Sequence, residues 1–163
     1  MAGGKRIMEP DEQDPQNSSA GVADLMRAEH ARLEALLAGV SDVELVRPGA
    51  FGEWSAKDML AHITFWEQRL IAYLNGARES LIQPGEDEQV AIDRINAGVL
   101  AANRDRPLAE VRAAFDDSYQ QTLRLVESLS GEDLADEEFF GLVAGDTFGH
   151  YREHIAMLED WRK

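Results

Sequence analysis

Between Ser55 and Gly76 the apolar and aromatic residues follow a helical period and no other: Met59, His62, Ile63, Trp66, Leu70 and Tyr73 share one face. Side chains at such spacing line one stripe of an α-helix, whereas a half-buried strand alternates at every second position. Ser55 supplies an N-cap, Asp58 completes a capping-box arrangement, and Asn75-Gly76 supplies the stop. The same period predicts a first helix through Val22, Met26, His30, Leu33, Leu37 and Val40, ending near Gly39. It predicts another through Val111, Phe115, Ser118, Thr122, Leu125 and Leu129, with Pro107 in its first turn and Ser130-Gly131 at its close. After an acidic loop, Asp146 or Thr147 caps a last helix striped by His150, Tyr151, His154, Ile155, Leu158 and Trp161. No segment sustains a period of two; Phe139-Phe140 and Gly141 to Val143 could make a short extended piece. The expected fold is all-α, an antiparallel four-helix bundle with a long connection between the second and third helices.

That connection begins with a loop from Ala77 to Asp87 containing Pro84-Gly85, followed by a modestly periodic helical piece from Gln89 to about Asn103. A shorter connector, Ser41 to Glu53, carries Pro48, Gly49 and Gly52. Residues Met1 to Ala20 are rich in Gly, Pro, Asp, Gln, Asn and Ser without apolar periodicity, so a disordered leader is expected there. The remaining residues, 21–163, are enough for one domain with a real apolar core.

Charge and composition narrow the partners. A net charge of −15 repels nucleic acid and anionic membrane surfaces, and no basic stripe offsets it. No apolar run is long enough to span a bilayer, and no signal-peptide pattern is present, so the expected location is cytoplasmic. The chain has no cysteine, hence no disulfide, no thiolate ligand and no cysteine nucleophile. Any thiol chemistry would draw its sulfur from a small-molecule co-substrate.

The chain owns four histidines. His150 and His154 stand one helical turn apart on the last helix, a spacing that lets two imidazoles grip one ion. His62 lies on another amphipathic helix and could complete a three-nitrogen site with an open position, suited to zinc, nickel or a similar divalent cation. The competing reading makes each a core-edge histidine hydrogen-bonded to a neighbour. His30 has no paired histidine at ligand spacing and reads as a half-buried structural residue. His150-Tyr-Arg-Glu-His154 also fits the H-x-x-E-H pattern of one zinc protease class, with Glu153 as base. The chain is too short for that catalytic domain, so Glu153 reads as a surface residue with a base role chemically open. Asp58 could orient the His62 ring, and Trp66 and Tyr151 could line the pocket. Glu67 and Asp146 are reserve ligands or hydrogen-bond partners, while Trp54 and Trp161 read as ordinary packing.

The block Gly52-Glu-Trp-Ser-Ala-Lys-Asp-Met-Leu-Ala-His-Ile-Thr-Phe-Trp-Glu67 resembles the entrance and second helix of the DinB/YfiT-like four-helix-bundle superfamily. Asn103-Arg-Asp-Arg-Pro-Leu-Ala-Glu-Val111 and Asp146-Thr-Phe-Gly-His-Tyr-Arg-Glu-His154 look more specifically like its ClbS/DfsB branch. The resemblance runs from about Gly21 to Lys163. It implies a metal site of one histidine on the second helix and two on the last, matching His62, His150 and His154. It also implies metal-dependent transfer of low-molecular-weight thiols, an isomerase activity, or, in the ClbS-like branch, protection from a genotoxin by hydrolysis of a strained ring.

Three readings follow. The first is a small-molecule enzyme that transfers a thiol to an electrophile or detoxifies it by hydrolysis. The second is a binding protein that sequesters a toxic small molecule, with the histidines as polar lining. The third is an interaction module that forms a homodimer through bundle helices.

Overall fold

The computed structural model describes residues 17–163. The expected leader falls mostly outside them, and its last residues, Ser19 and Ala20, already belong to a helix. The described elements are α1 (Ser19–Ala38), α2 (Asp42–Leu45), α3 (Ala56–Leu74), α4 (Glu88–Asn103), α5 (Leu108–Glu127), α6 (Gly131–Leu134), α7 (Glu137–Asp146) and α8 (Phe148–Trp161). The fold is all-α, and α1, α3, α5 and α8 form the bundle.

Each bundle helix forms because its apolar stripe has somewhere to go. Met26, Leu33 and Leu37 of α1 meet Met59, Ile63 and Leu70 of α3 and Phe115 and Val126 of α5, with Ile155 and Leu158 of α8, in one core. Burying side chains of this size contributes about 1.5–3 kcal/mol each. The α3 start is as expected: Ser55 Oγ accepts from the Asp58 amide at 3.1 Å, and the Asp58 carboxylate accepts from the Ser55 amide at 2.9 Å.

The pairings across the bundle fix its directions. Arg152 bridges to Glu29 at 2.6 Å, Arg32 to Glu159 at 2.5 Å, and Arg162 donates to the Leu36 carbonyl at 2.6 Å, so α1 and α8 run parallel. Lys57 at the start of α3 reaches the Arg106 carbonyl just before α5, and Glu67 meets Ser118 further along, so α3 and α5 also run parallel. Arg27 pairs with Glu127 and His30 stacks on Tyr119, which makes the two layers antiparallel to each other. Neighbouring helices can run parallel only when a long connection returns the chain to its starting end. Here α4 does that. It packs back along α3, and Lys57 Nζ donates to the carbonyls of Asn103, Arg104 and Arg106 at 3.3, 2.8 and 3.1 Å, fixing the turn into α5.

Two local expectations are corrected. Phe139 to Val143 is not extended: it lies within α7, whose N-cap Asp136 accepts from the Phe139 amide at 2.8 Å. Glu137 and Glu138 in the first turn suit the positive end of the helix dipole. The connector from Ser41 to Glu53 is also more structured than expected. It contains α2 under a Ser41–Glu44 capping box, and a tight turn in which Phe51 and Trp54 exchange backbone hydrogen bonds at 3.1 Å. Gly52 at φ +63 takes the first central position of that turn, where a positive φ favours glycine.

Candidate metal centre

The α3 capping box sets the first turn of that helix, and His62 then projects toward α8. The start of α8 is set by a tight break. Thr147 Oγ1 donates to the Val143 carbonyl at 2.6 Å, and a Cβ at Gly149 would stand 2.7 Å from the Ala144 carbonyl oxygen. Only glycine lets α8 begin this close to the end of α7. The next residue is His150.

The three imidazoles converge. His62 Nε2 lies 2.9 Å from His150 Nε2, and His154 Nε2 lies 3.0 Å from the same atom. All three side chains are buried, and each Nδ1 is buried without a hydrogen-bond partner among the described residues. Burial lowers His62 to about 4, with the Asn96 side chain working weakly against it. Burial first, then the neighbouring His154 and His62, lowers His150 to about 2. Burial, then His62, lowers His154 to about 3. The trio is therefore neutral at pH 7.

A neutral imidazole nitrogen offers either one N–H or one lone pair. His150 Nε2 thus cannot make a full hydrogen bond to both neighbours, and hydrogen bonding alone leaves the cluster unsatisfied. A shared cation would satisfy the three Nε2 lone pairs, with each ring's proton on Nδ1. Nitrogens bound to one zinc at about 2.0–2.1 Å stand roughly 3–3.4 Å apart, close to the separations seen here. His62, His150 and His154 could hold a metal ion.

Above His62 and His154 opens a pocket of about 250 Å³, walled by Phe51, Trp54, Met59 and Met157 with Asn96 at one side. The Trp54 ring stands edge-on to His62 at 5.2 Å between centroids. A larger groove of about 380 Å³ runs between α3, α4 and α5, past Phe65 and Val111, and none of the three histidines lines it.

A family model described as the DinB superfamily matches residues 8–157. The chain belongs to the DinB superfamily. Among solved structures it is similar to DfsB, described as a sibling lethal factor precursor, with a TM-score of 0.75 at 17% identity over 89% of this chain and 95% of that one. It is also similar to an uncharacterised protein from Escherichia coli UTI89, with a TM-score of 0.70 at 11% identity over 89% of this chain and 92% of that one. At such identities the likeness shows the fold. No curated protein matches the chain.

Other expected site residues of this DinB protein stand apart from the trio. Asp58 does not orient His62, because its carboxylate is taken up by the Ser55 amide and hydroxyl. Trp66 stands edge-on to His62 at 6.3 Å, with its indole N–H donated to Asn96 at 3.2 Å rather than to a ligand pocket. Tyr151 does not line the open pocket: it is fully buried and its hydroxyl donates to Glu67. Glu153 is exposed on α8, away from the buried trio, which removes the geometric basis for a base role. Among the described residues, no helix is long and apolar enough to cross a membrane.

Neither reserve ligand joins the three histidines. Glu67 is buried completely and accepts from the Ser118 and Tyr151 hydroxyls; burial pushes its carboxyl up to about 7 despite those two donors. Asp146 is pushed up to about 6 by burial, with Arg69 opposing. His30 is half-buried, stacked on Tyr119 at 3.6 Å and Phe115 at 5.2 Å, as a structural histidine would be. It lies within ligand reach of Glu34 and Asp116, but Asp116 is exposed and Arg112 competes for Glu34.

Sequence reasoning missed the pocket wall. Phe51, Asn96 and Met157 come from a turn, α4 and the far part of α8, and no spacing rule joins them. The one available hint was Gly52 between two aromatics, which marks a tight turn presenting both rings.

Proposed function

We propose that this DinB-superfamily chain is a metal-dependent small-molecule enzyme that directs a thiol or a water at an electrophilic compound. The single observation behind this reading is the meeting of three buried Nε2 atoms beside an open pocket that His62 and His154 line. His62, His150 and His154 would hold the divalent cation, with zinc and nickel best suited to three imidazoles. When bound, such an ion polarises an oxygen or sulfur at its open position and makes it acidic near neutral pH.

The protein's own groups supply the rest. The trio stays unprotonated down to mildly acidic pH, so its lone pairs are free at physiological pH. Trp54, Phe51, Met59 and Met157 exclude water from one side of the reacting atoms and hold the substrate against the histidines. The chain has no cysteine, so a transferred sulfur comes from a low-molecular-weight thiol that binds as co-substrate.

The direct test is turnover. Zinc- or nickel-loaded protein is incubated with a neutral benzylic halide or epoxide, with and without a small thiol, and product is followed by chromatography. Many turnovers per chain, lost in His154→Ala, support the enzyme. One equivalent of compound held without product would replace it with a sequestering protein.

A further inference from the structure

Asn96 lines the pocket beside His62 and His154 with one half of its amide engaged and the other half free. It comes from α4, the helix that packs back along α3. The Trp66 indole N–H donates to its Oδ1 at 3.2 Å. An indole nitrogen can only donate, so this contact fixes which end of the amide is oxygen. Nδ2 is then the opposite end, and it donates to nothing among the described residues. Unlike the three imidazole Nδ1 atoms, it is not sealed in the interior. The helix that carries it is tied down on both sides of Asn96. Arg94 donates to the Leu81 carbonyl at 2.9 Å and to Glu86, and Lys57 holds the carbonyls of Asn103 and Arg104. A donor of fixed orientation thus borders a pocket otherwise walled by Phe51, Trp54, Met59 and Met157. A ligand that fills this space displaces the water that solvates Nδ2. An oxygen on the ligand restores the lost hydrogen bond, whereas a ligand without an acceptor leaves the donor unpaired.

We infer that Asn96 determines specificity by donating from Nδ2 to an oxygen of the substrate, so that the pocket takes electrophiles bearing a carbonyl or epoxide oxygen. The inference rests on the proposed function for the pocket being the one that holds the substrate. The chemistry of such groups fits a donor at this place. Addition of a thiol or water to either group forms a bond from sulfur or oxygen to carbon. One C–O electron pair moves onto the substrate oxygen, which takes up the proton that the nucleophile gives up. Negative charge grows on that oxygen along the way, and a donor already oriented toward it stabilises the charge without rearranging. A benzylic halide offers no comparable acceptor and would gain nothing from Asn96.

The experiment titrates metal-free, full-length protein with acetophenone and with α-methylstyrene, which carries a methylene group in place of the carbonyl oxygen at nearly the same shape. In ¹⁵N-labelled protein the side-chain amide pair of Asn96, assigned by its loss in Asn96→Asp, reports the contact. Acetophenone should move that pair, and α-methylstyrene should move it far less while still shifting the Trp54 indole resonance. Asn96→Leu should weaken acetophenone about fivefold relative to α-methylstyrene. Asn96→Asp keeps an oxygen for Trp66 but has no N–H to offer, and it should weaken acetophenone at least as much. Circular dichroism verifies that both variants fold. An amide pair that acetophenone leaves unmoved in the parent protein, or an unchanged ratio of the two Kd values in the folded variants, would overturn the inference. Because no ion is present in these titrations, a metal-loaded protein that turns nothing over would count against the proposed function and not against the role of Asn96.

Discussion

His62 and His150, from α3 and α8, place their Nε2 atoms 2.9 Å apart while both Nδ1 atoms are buried and unpartnered. Two neutral rings can share one proton at that distance, but the additional contact from His154 at 3.0 Å leaves one nitrogen without a complementary partner. The bundle thus brings together three histidines that could hold a metal ion through their Nε2 atoms.

Ligand linkage should make that visible in stability. Binding to the folded state alone, at about 100 times Kd, adds about 2.7 kcal/mol. For a chain of this size that corresponds to roughly 5–10 °C in Tm. Zinc or nickel should raise the melting temperature of the parent protein by this order and leave His150→Ala unmoved. A shift of equal size in the variant would place the binding elsewhere.

Acid sensitivity follows from the histidines. In metal-free protein His30, His62, His150 and His154 titrate well below the ordinary 6.5, mainly through burial. As pH falls below about 6.5 the unfolded chain takes up protons that the native chain refuses, so these groups lose stability on acidification. Glu67 and Asp146 act in the opposite direction, being protonated in the folded state where the unfolded chain is ionised. Urea unfolding should show a net decline between about pH 6.5 and 4.5, and saturating zinc should offset it at the upper end of that window.

Glu67→Gln separates the carboxylate contribution. The folded carboxyl titrates near 7 against an ordinary 4.5, so its ionisation costs the native state stability as pH rises through that interval. The amide cannot ionise and retains an oxygen for the Tyr151 or Ser118 hydroxyl. Relative to the parent, Glu67→Gln should gain stability between pH 5 and pH 8 by an amount on the order of 2 kcal/mol, read from urea midpoints. A pH-independent difference would mean that Glu67 titrates normally.

How far these features were legible in the sequence depends on whether they are local. The α3 capping box, the Asn75-Gly76 stop and the apolar stripes are written within a turn or two of chain, and all appear in the structure. The three histidines were visible for the same reason, since each lies on a helical stripe. The long connection between the second and third bundle helices was legible as well; what was not is how it is held, because that depends on Lys57 meeting carbonyls far along the chain. The extended reading of Phe139 to Val143 gave weight to aromatic and β-branched content over Asp136, Glu137 and Glu138, which are a helix start. Asp58 and Tyr151 illustrate a second limit: helical spacing put them near the histidines, but hydrogen bonds to Ser55 and Glu67 turned them elsewhere.

Lys57 tests the architecture itself. Its ammonium, 7% exposed, is shared by three carbonyls at the link between α4 and α5. Lys57→Met should cost about 2–3 kcal/mol by leaving those acceptors unpaired, with faster amide exchange concentrated in α4. Uniform loss of protection across the bundle would contradict a local role.

The site stands or falls on metal content. Tag-free parent protein, His62→Ala and His150→Ala are each reconstituted with zinc or nickel, dialysed, and measured by elemental analysis, with circular dichroism to verify folding. The expected result is about one ion per chain in the parent and a large loss in both folded variants. No retained ion in the parent, or equal retention in all three proteins, would contradict the assignment of His62, His150 and His154 as a metal centre.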